Sequence, residues 1–296
     1  MTLLVILGLC GAIVTQSTRS RSYVPSIQTM RDASWYASAV ACTDQHVLNW
    51  SCKMCQKVPT ARHVESFANK IYNTRAFVAI DSEKSRVILA FRGSKNIQNV
   101  MADGLFVLTS YSPASRINSK VHNGFKLATL SVYDAMRDRV RLLLKNPEYS
   151  RYKILMTGHS LGGAMAVLST IKLREDLQLS WNRFQVITFG QPPTGNLEFA
   201  EWYNDQHIAT ARVVNHFDLV PHLGSAYIGR LIHHKHEVWI TGPGNASNIR
   251  ICNSKRLVDP TCSSSLSPAQ YKPTDHVHYF DAGFGKEDCS PNPSPI

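Results

Sequence analysis

The sequence predicts an α/β fold, in which a central, mostly parallel sheet is flanked by helices. An apolar run at residues 153–157 is typical of a buried strand, and a helical run at residues 163–174 follows it almost directly. Further strand-like runs lie at residues 87–91, 212–215 and 238–240. The chain has 296 residues, 44% of them apolar and 18% charged, which suits one large globular core.

The N-terminal residues 1–20 are predicted to form a signal peptide. The apolar run at residues 3–14 is too short to span a bilayer but has the length of a signal-peptide core. We expect cleavage between Ala12 and Ser20. A short pro-segment through residues 19–21 is an alternative that the sequence does not decide. The mature chain is then secreted and extracellular, with no integral membrane segment. Residues 21–289 are predicted to form a single domain, and residues 290–296, rich in proline and serine, a disordered tail.

The cysteine count agrees with export. The chain has seven cysteines, and six remain once Cys10 leaves with the signal peptide. An even number in an exported chain predicts three disulfides. Cys52 and Cys55 form a C-x-x-C pair that also occurs in redox and zinc sites, but no second pair follows, so a structural disulfide is favoured. Two N-glycosylation sequons, at Asn49 and Asn245, predict a glycoprotein.

The formal net charge is +11. Basic proteins often bind nucleic acid. This chain has neither a nucleic-acid recognition motif nor a compact block of Lys and Arg, so no nucleic-acid partner is expected. The charge instead favours attraction to an anionic lipid surface.

Between the strand and the helix of the first observation lies the pentapeptide GHSLG, residues 158–162. G-x-S-x-G at a strand–turn–helix junction is typical of the nucleophile elbow of α/β-hydrolases. The turn is sharp, and Gly158 and Gly162 lack the Cβ atoms that would collide where helix and strand approach. The pattern predicts that Ser160 is a nucleophile at the top of the sheet.

A serine nucleophile needs a base to take its proton and a carboxylate to orient that base. In α/β-hydrolases the carboxylate and then the histidine follow the serine along the chain. Asp218 comes just after the strand at residues 212–215, where such sheets place the acid. Asp205, in a helical segment, and Asp259, in a loop bounded by cysteines, are weaker candidates.

For the base, His276 and His278 are close rivals on one loop, and the residues alone do not separate them. Asp275 is a poor acid, because adjacent residues rarely hydrogen-bond in triad geometry. The histidine-rich run at residues 233–236 lacks the H-E-x-x-H spacing of a metal site, and a hydrated loop before a strand is favoured. We expect neither a metal nor an organic cofactor.

The oxyanion of the tetrahedral intermediate needs preorganised donors. One should be the backbone N–H of Leu161, directly after the nucleophile. The other is expected from the loop after the strand at residues 87–91, where Ser94 can offer its N–H and its hydroxyl.

Five segments carry a resemblance to a known family, at residues 91–94 (FRGS), 158–163 (GHSLGG), 188–192 (TFGQP), 215–222 (N-x-x-D-x-V-P-H) and 275–280 (D-H-x-x-Y-F). In these segments, in family order and over about residues 30 to 290, the chain resembles the secreted filamentous-fungal class 3 triacylglycerol lipases. The resemblance implies Ser160 as nucleophile, Asp218 as acid and His276 as base, with Ser94 and Leu161 as the oxyanion hole.

The resemblance also implies the disulfide pairing Cys42–Cys289, Cys52–Cys55 and Cys252–Cys262. The first pair would join the N-terminal helix to the C-terminus.

The resemblance further implies a short amphipathic helix, the lid, at residues 95–104. Ile97, Val100 and Met101 fall at i, i+3 and i+4, on one helical face. Several relatives carry tryptophan where this chain has Val100, so one interfacial anchor is missing. Gly93 and Gly104 are candidate hinges. An ordinary amphipathic surface helix has the same pattern and is an alternative that the sequence does not decide.

The resemblance therefore implies a monomeric, secreted serine carboxylic-ester hydrolase that acts on triacylglycerols at lipid–water interfaces through an acyl-enzyme. Three alternatives remain, namely a feruloyl or other aryl esterase, a phospholipase A1, and a catalytically silent lipid-binding protein. The apolar residues of the lid segment disfavour the first, because feruloyl esterases tend to have polar, immobile lids.

Overall fold

The computed structural model describes residues 24–93, 107–111, 118–223, 231–242, 248–253, 255–285 and 289. In chain order its strands are β1 (Ala61–Asn69), β2 (Thr74–Asp81), β3 (Arg86–Phe91), β4 (Leu108–Ser110), β5 (Lys120–His122), β6 (Lys153–His159), β7 (Phe184–Phe189), β8 (Ala209–Asn215), β9 (Glu237–Ile240), β10 (Ile249–Ile251), β11 (His278–Tyr279) and β12 (Ala282–Gly283). The α-helices are α1 (Ile27–Ala39), α2 (Asp44–Leu48), α3 (Asn123–Leu144), α4 (Leu161–Asp176) and α5 (Leu197–Asp205). Short 3-10 helices lie at Cys55–Lys57, Trp181–Arg183, Val220–His222, Ser263–Ser265, Pro268–Gln270 and Pro273–Val277.

The central sheet has the strand order β1-β2-β3-β6-β7-β8-β9-β10 in the part of the chain that the structure describes. Strands β3, β6, β7, β8 and β9 are parallel, while β1, β2 and β10 run antiparallel at the two sides. The mostly parallel sheet is therefore confirmed, as are the strands expected at residues 87–91, 153–157, 212–215 and 238–240. The parallel strands end together at one edge, which we call the carboxyl edge.

Both faces of the parallel strands are buried, because helices cover each of them. Alternate residues of one strand serve opposite faces. In β3, Val87 and Leu89 belong to the core under α3 and α4, whereas Ile88 and Ala90 belong to the core under α1. This explains why the central strands read as continuous apolar runs in the sequence.

Six of the seven cysteines form the three pairs that the resemblance implies, Cys42–Cys289, Cys52–Cys55 and Cys252–Cys262. Cys42 lies just beyond the end of α1, and its partner is 247 residues away. In the chain-entropy model, a loop of this length stabilises the fold by about 5 kcal/mol. Two hydrogen bonds join the same regions, from Ser38 Oγ to the carbonyl of Gly283 and from Trp35 Nε1 to Asp281.

Several predictions from the sequence concern residues outside the described ranges. They are the signal peptide at 1–20, the lid segment at 95–104, the sequon at Asn245 and the tail at 290–296. Among the helices of the residues that the structure describes, none is both long and apolar enough to cross a bilayer.

A buried histidine at the N-terminus of α3 is expected to make the stability of the protein depend on pH. His122 caps this helix, with Nδ1 accepting the N–H of Phe125 at 3.3 Å, and burial lowers the pKa of His122 from 6.5 to about 4. Between these two pH values the unfolded chain binds a proton that the folded chain rejects. The stability due to neutral His122 is therefore complete above pH 6.5 and is lost as the pH falls towards 4.

A His122→Asn variant keeps a capping acceptor and removes this titration. We expect its free energy of unfolding to fall less steeply on acidification, by up to about 1.4 kcal/mol per pH unit. Urea denaturation of both proteins across this pH range measures the difference. Parallel pH profiles for the two proteins would contradict the prediction.

Candidate active site

The turn between β6 and α4 has the geometry that the GHSLG pattern predicts. Ser160 lies between the two elements with φ +57° and ψ −127°, a conformation that non-glycine residues rarely adopt. Its N–H donates to the carbonyl of Phe189 at 2.8 Å, and its own carbonyl accepts the N–H of Gly163 at 2.9 Å. These hydrogen bonds hold the strained residue in place at the carboxyl edge.

Gly158 and Gly162 are required by close backbone approach. A Cβ atom on Gly158 would lie 2.3 Å from the carbonyl oxygen of Gly162, and one on Gly162 would lie 2.1 Å from that of Phe91. Both distances are far inside van der Waals contact. A larger residue at Gly158 would push the start of α4 away from β6, and one at Gly162 would push the elbow away from β3.

Asp218 and His276 form a hydrogen-bonded pair at the same edge. Asp218 follows β8, and His276 lies in the 3-10 helix Pro273–Val277; its Nδ1 lies 3.0 and 2.9 Å from the two carboxylate oxygens. Asp218 is fully buried, and it also accepts the N–H of Val220 at 2.8 Å and the hydroxyl of Tyr279. His278, the rival of His276 in the sequence, is exposed on β11.

Ser160 Oγ and His276 Nε2 are both buried, and neither has a hydrogen-bond partner among the described residues. Buried polar atoms without a partner are uncommon in folded proteins and call for a functional explanation. Here the two atoms are the hydroxyl oxygen of the elbow serine and the ring nitrogen of His276 that does not contact Asp218.

The side chain of His159, inside the elbow motif, supports the loop that carries His276. Its Nε2 lies 2.7 Å from the carbonyl oxygen of His276, and its ring stacks on Phe284 at 4.0 Å. Burial and the neighbouring His276 hold the pKa of His159 well below its ordinary value, so the ring is neutral. Because a carbonyl oxygen only accepts, Nε2 carries the proton and donates it.

Gly190 packs directly against the Asp218–His276 pair. It follows β7 with φ +54°, and a Cβ atom there would lie 2.8 Å from both Asp218 Oδ2 and His276 Nδ1. The Phe189 carbonyl just before it accepts the Ser160 N–H. The end of β7 therefore contacts the elbow and the Asp–His pair together.

The other carboxylates considered from the sequence are engaged elsewhere. Asp275 accepts from His216 Nδ1 at 3.0 Å and from the N–H of Phe217 at 3.1 Å. Asp259 accepts the N–H groups of Asn253 and Thr261 inside the Cys252–Cys262 loop. Asp205 lies in α5, a helix as expected.

The histidine-rich run at residues 233–236 is a loop that leads into β9, as expected, but it is only partly hydrated, because His234 is buried and the other three residues are half-buried. His234 is buried with its ring 4.6 Å from that of Tyr203, because α5 packs over it. His233 Nε2 meets the carbonyl of Pro221, whereas His234 Nδ1 meets the carbonyl of Lys235. Within the described ranges, the one group with metal-ligand spacing is Glu237, Cys252 and Cys262, and its two cysteines are bonded to each other.

Of the expected oxyanion donors, Leu161 is described and Ser94 is not. Leu161 is the first residue of α4, where backbone N–H groups lack intrahelical acceptors and the helix dipole is positive. Ser94 and the lid residues Ile97, Val100 and Met101 lie outside the described residues.

Three contributors were missed by reasoning from the sequence: His159, Gly190 and Tyr279. Each lies in a segment that carries the family resemblance, at residues 158–163, 188–192 and 275–280. Their places in those segments were visible, but their contacts with His276 and Asp218 depend on chain segments that are distant in sequence.

Comparison with known proteins gives consistent matches. Residues 88–227 match the family model described as Lipase (class 3). A lipase from Rhizomucor miehei is 35% identical over 240 residues, which is 80% of this chain and 63% of that protein, so the match spans less than two thirds of this relative. The secreted mono- and diacylglycerol lipase A of Penicillium cyclopium is 28% identical over 264 residues, 86% of this chain and 83% of that protein.

Among solved structures, one described as a triacylglycerol lipase whose catalytic centre is a serine protease triad superposes with a TM-score of 0.78. It is 32% identical, and the match covers 88% of this chain and 96% of that one.

Proposed function

The chain belongs to the class 3 lipase family, and on that premise we propose that it is a triacylglycerol lipase, a serine carboxylic-ester hydrolase. The observation that carries the proposal is the buried Asp218–His276 pair beside the strained Ser160 elbow. The solved relative with a serine protease triad supports the same reading.

In the proposed reaction, Ser160 Oγ attacks the ester carbonyl carbon while His276 Nε2 takes the hydroxyl proton. Asp218 holds the Nδ1–H and offsets the charge of the imidazolium. The tetrahedral intermediate then breaks its bond to the alcohol oxygen, which leaves with the proton from His276. Water repeats the cycle on the acyl-enzyme, and the carboxylic acid and free Ser160 are released.

The oxyanion is proposed to bind at the N-terminus of α4. The N–H of Leu161 is one donor, and the sequence nominates Ser94 as the other. Loss of one such donor typically costs about 10²–10³-fold in rate.

Substrate access supports action at an interface. Ser160 is only 1% exposed, so an ester carbonyl reaches Oγ only after part of the chain moves. We propose residues 95–104 for that role, from their sequence pattern. A lipid surface would then favour the open form, because it solvates apolar groups that water does not.

We also propose that the chain is secreted and monomeric. A relative described as secreted and the three disulfides support export. Asn49 of the first sequon is exposed at the C-terminal end of α2, where N-glycosylation is sterically open.

The test is the rate of fatty-acid release from a short-chain triacylglycerol, measured through its solubility limit with methyl ferulate in parallel. A jump in rate as the emulsion appears is expected. Saturation below the limit, with good ferulate turnover, would indicate an aryl esterase instead. A fluorophosphonate probe should label Ser160, and a chain that takes no label would contradict any serine-hydrolase function.

Removal of the Tyr279 hydroxyl would test how firmly Asp218 must be held. We expect Tyr279→Phe to lower kcat by about tenfold, because the carboxylate loses one of its buried donors and orients His276 less well. Tyr203→Phe is a matched control, since this buried tyrosine bonds Thr210 instead. Equal kcat values for the two variants would assign Tyr279 a packing role only.

A further inference from the structure

The tip of the β1–β2 hairpin exposes large apolar side chains where a turn usually carries small or polar ones. Strands β1 and β2 pair up to Asn69 and Thr74, so residues 70–73 form the loop. Ile71 is 89% exposed and Tyr72 is 45% exposed. This exposure of Ile71 is the highest for a large apolar side chain among the described residues.

The tip is held in this arrangement by hydrogen bonds. Asn69 Oδ1 accepts the N–H of Ile71 at 3.0 Å and that of Tyr72 at 3.1 Å. Arg92 Nη2 donates to the carbonyl and side-chain oxygens of Asn73, at 2.7 and 2.6 Å. The apolar residues are therefore presented to solvent by an ordered turn.

The same contacts place the tip beside the elbow. Since β2 runs antiparallel to β3, the hairpin loop lies at the carboxyl edge, where β3 ends. Arg92, which binds the tip, precedes Gly93, and a Cβ atom on Gly93 would lie 3.1 Å from Ser160 Cβ. Arg92 therefore contacts the tip, and the next residue, Gly93, lies against the proposed nucleophile Ser160.

The first turns of α3 extend the exposed apolar surface. Ser131 contacts the hairpin, with its Oγ 2.6 Å from Thr74 Oγ1 and its carbonyl accepting from Asn69. Leu127 lies one helical turn before Ser131 on the same side of α3, and Leu130 is adjacent. These leucines are 37% and 39% exposed. We call Ile71, Tyr72, Leu127 and Leu130 the hairpin-tip patch.

We propose that the hairpin-tip patch is a docking surface for an anionic lipid–water interface, which would turn the carboxyl edge towards the lipid. This inference rests on the proposed function. Exposed apolar groups on one surface commonly mark such contacts, and cations beside them strengthen binding to anionic lipid. Lys70 lies within the tip and Lys126 beside Leu127, in a chain of net charge +11.

The experiment measures sedimentation with vesicles of phosphatidylcholine and phosphatidylglycerol. All chains carry Ser160→Ala so that the lipid stays intact. Adding Ile71→Ser and Tyr72→Ser is expected to lower partition by at least about tenfold, because withdrawing even one large apolar side chain from lipid has an effect of this size. Leu142→Ser is the matched control, 59% exposed on the same helix but about 22 Å further along it than Leu127.

The active chain gives the second readout. With Ser160 present, the double variant should lose about tenfold in rate on emulsified triacylglycerol and keep kcat/KM on a soluble ester within about twofold. The control should change neither rate. Unchanged vesicle partition in the double variant would overturn the proposal. So would a shift in oligomeric state without a change in partition, because the patch would then join two copies of the chain.

Failure of the proposed function would look different. The parent chain would then hydrolyse no soluble ester, whatever its partition onto vesicles.

Discussion

Replacement of Ser160 by alanine is expected to lower kcat by at least about 10⁵-fold while the fold survives. The change removes Oγ, the atom proposed to form the acyl-enzyme. It adds no strain at φ +57°, because serine already carries the Cβ atom that makes this conformation unfavourable. Residual turnover would reflect binding and oxyanion stabilisation alone.

The measurement is kcat on a soluble nitrophenyl ester, with the thermal midpoint followed by circular dichroism. Ser169→Ala is the matched control, because Ser169 is a fully buried serine of α4, the helix that begins directly after Ser160. We expect its kcat to stay within about twofold of the parent, as for most substitutions away from a site. Near-normal activity in purified Ser160→Ala would remove Ser160 from the mechanism.

Replacement of Gly190 by alanine is expected to lower kcat/KM by at least about 100-fold, because a shift near 1 Å at a catalytic group can cost that much. The new Cβ would lie 2.8 Å from both Asp218 Oδ2 and His276 Nδ1, so it must push into the hydrogen bond that joins them. The positive φ of Gly190 adds about 1–2 kcal/mol of backbone strain.

Gly242→Ala is the control for this variant. Its new Cβ would meet chiefly the side chain of Asn248, which can move aside. Both proteins should be compared on the soluble ester and by their thermal midpoints. If Gly190→Ala keeps parental kcat/KM, the Asp218–His276 pair tolerates displacement, and the proposed geometry of catalysis fails.

The sequence was most informative where local pattern decides local structure. The elbow could be predicted because a strand, a helix and two glycines stand together within residues 153–174, and each has a steric meaning by itself. The central strands were equally readable, since burial on both faces makes them continuously apolar. No element before residue 87 was predicted in detail. Strand β1 alternates irregularly in burial, and its register shifts between Arg62 and Glu65.

The environment of the proposed base was not readable from the sequence. His276 and His278 are two residues apart, and only the packing of Tyr279, Gly190 and His159 makes one buried and leaves the other exposed. These contacts join β6, β7 and the loop before β11. The burial of His234 could not be predicted for the same reason, because its packing against Tyr203 of α5 is a tertiary contact.

The pairing of α1 with residues 281–289 also constrains how the protein is made. A ribosome completes α1 early, but Gly283 and Cys289, which cover and lock this helix, emerge roughly 10–50 s later at ordinary rates of synthesis. During that interval Trp35 and Ser38 of α1 lack the acceptors of their side-chain hydrogen bonds, which are Asp281 and the carbonyl of Gly283. The Cys42–Cys289 disulfide can therefore form only after residue 289 has been synthesised, long after α1 itself is complete.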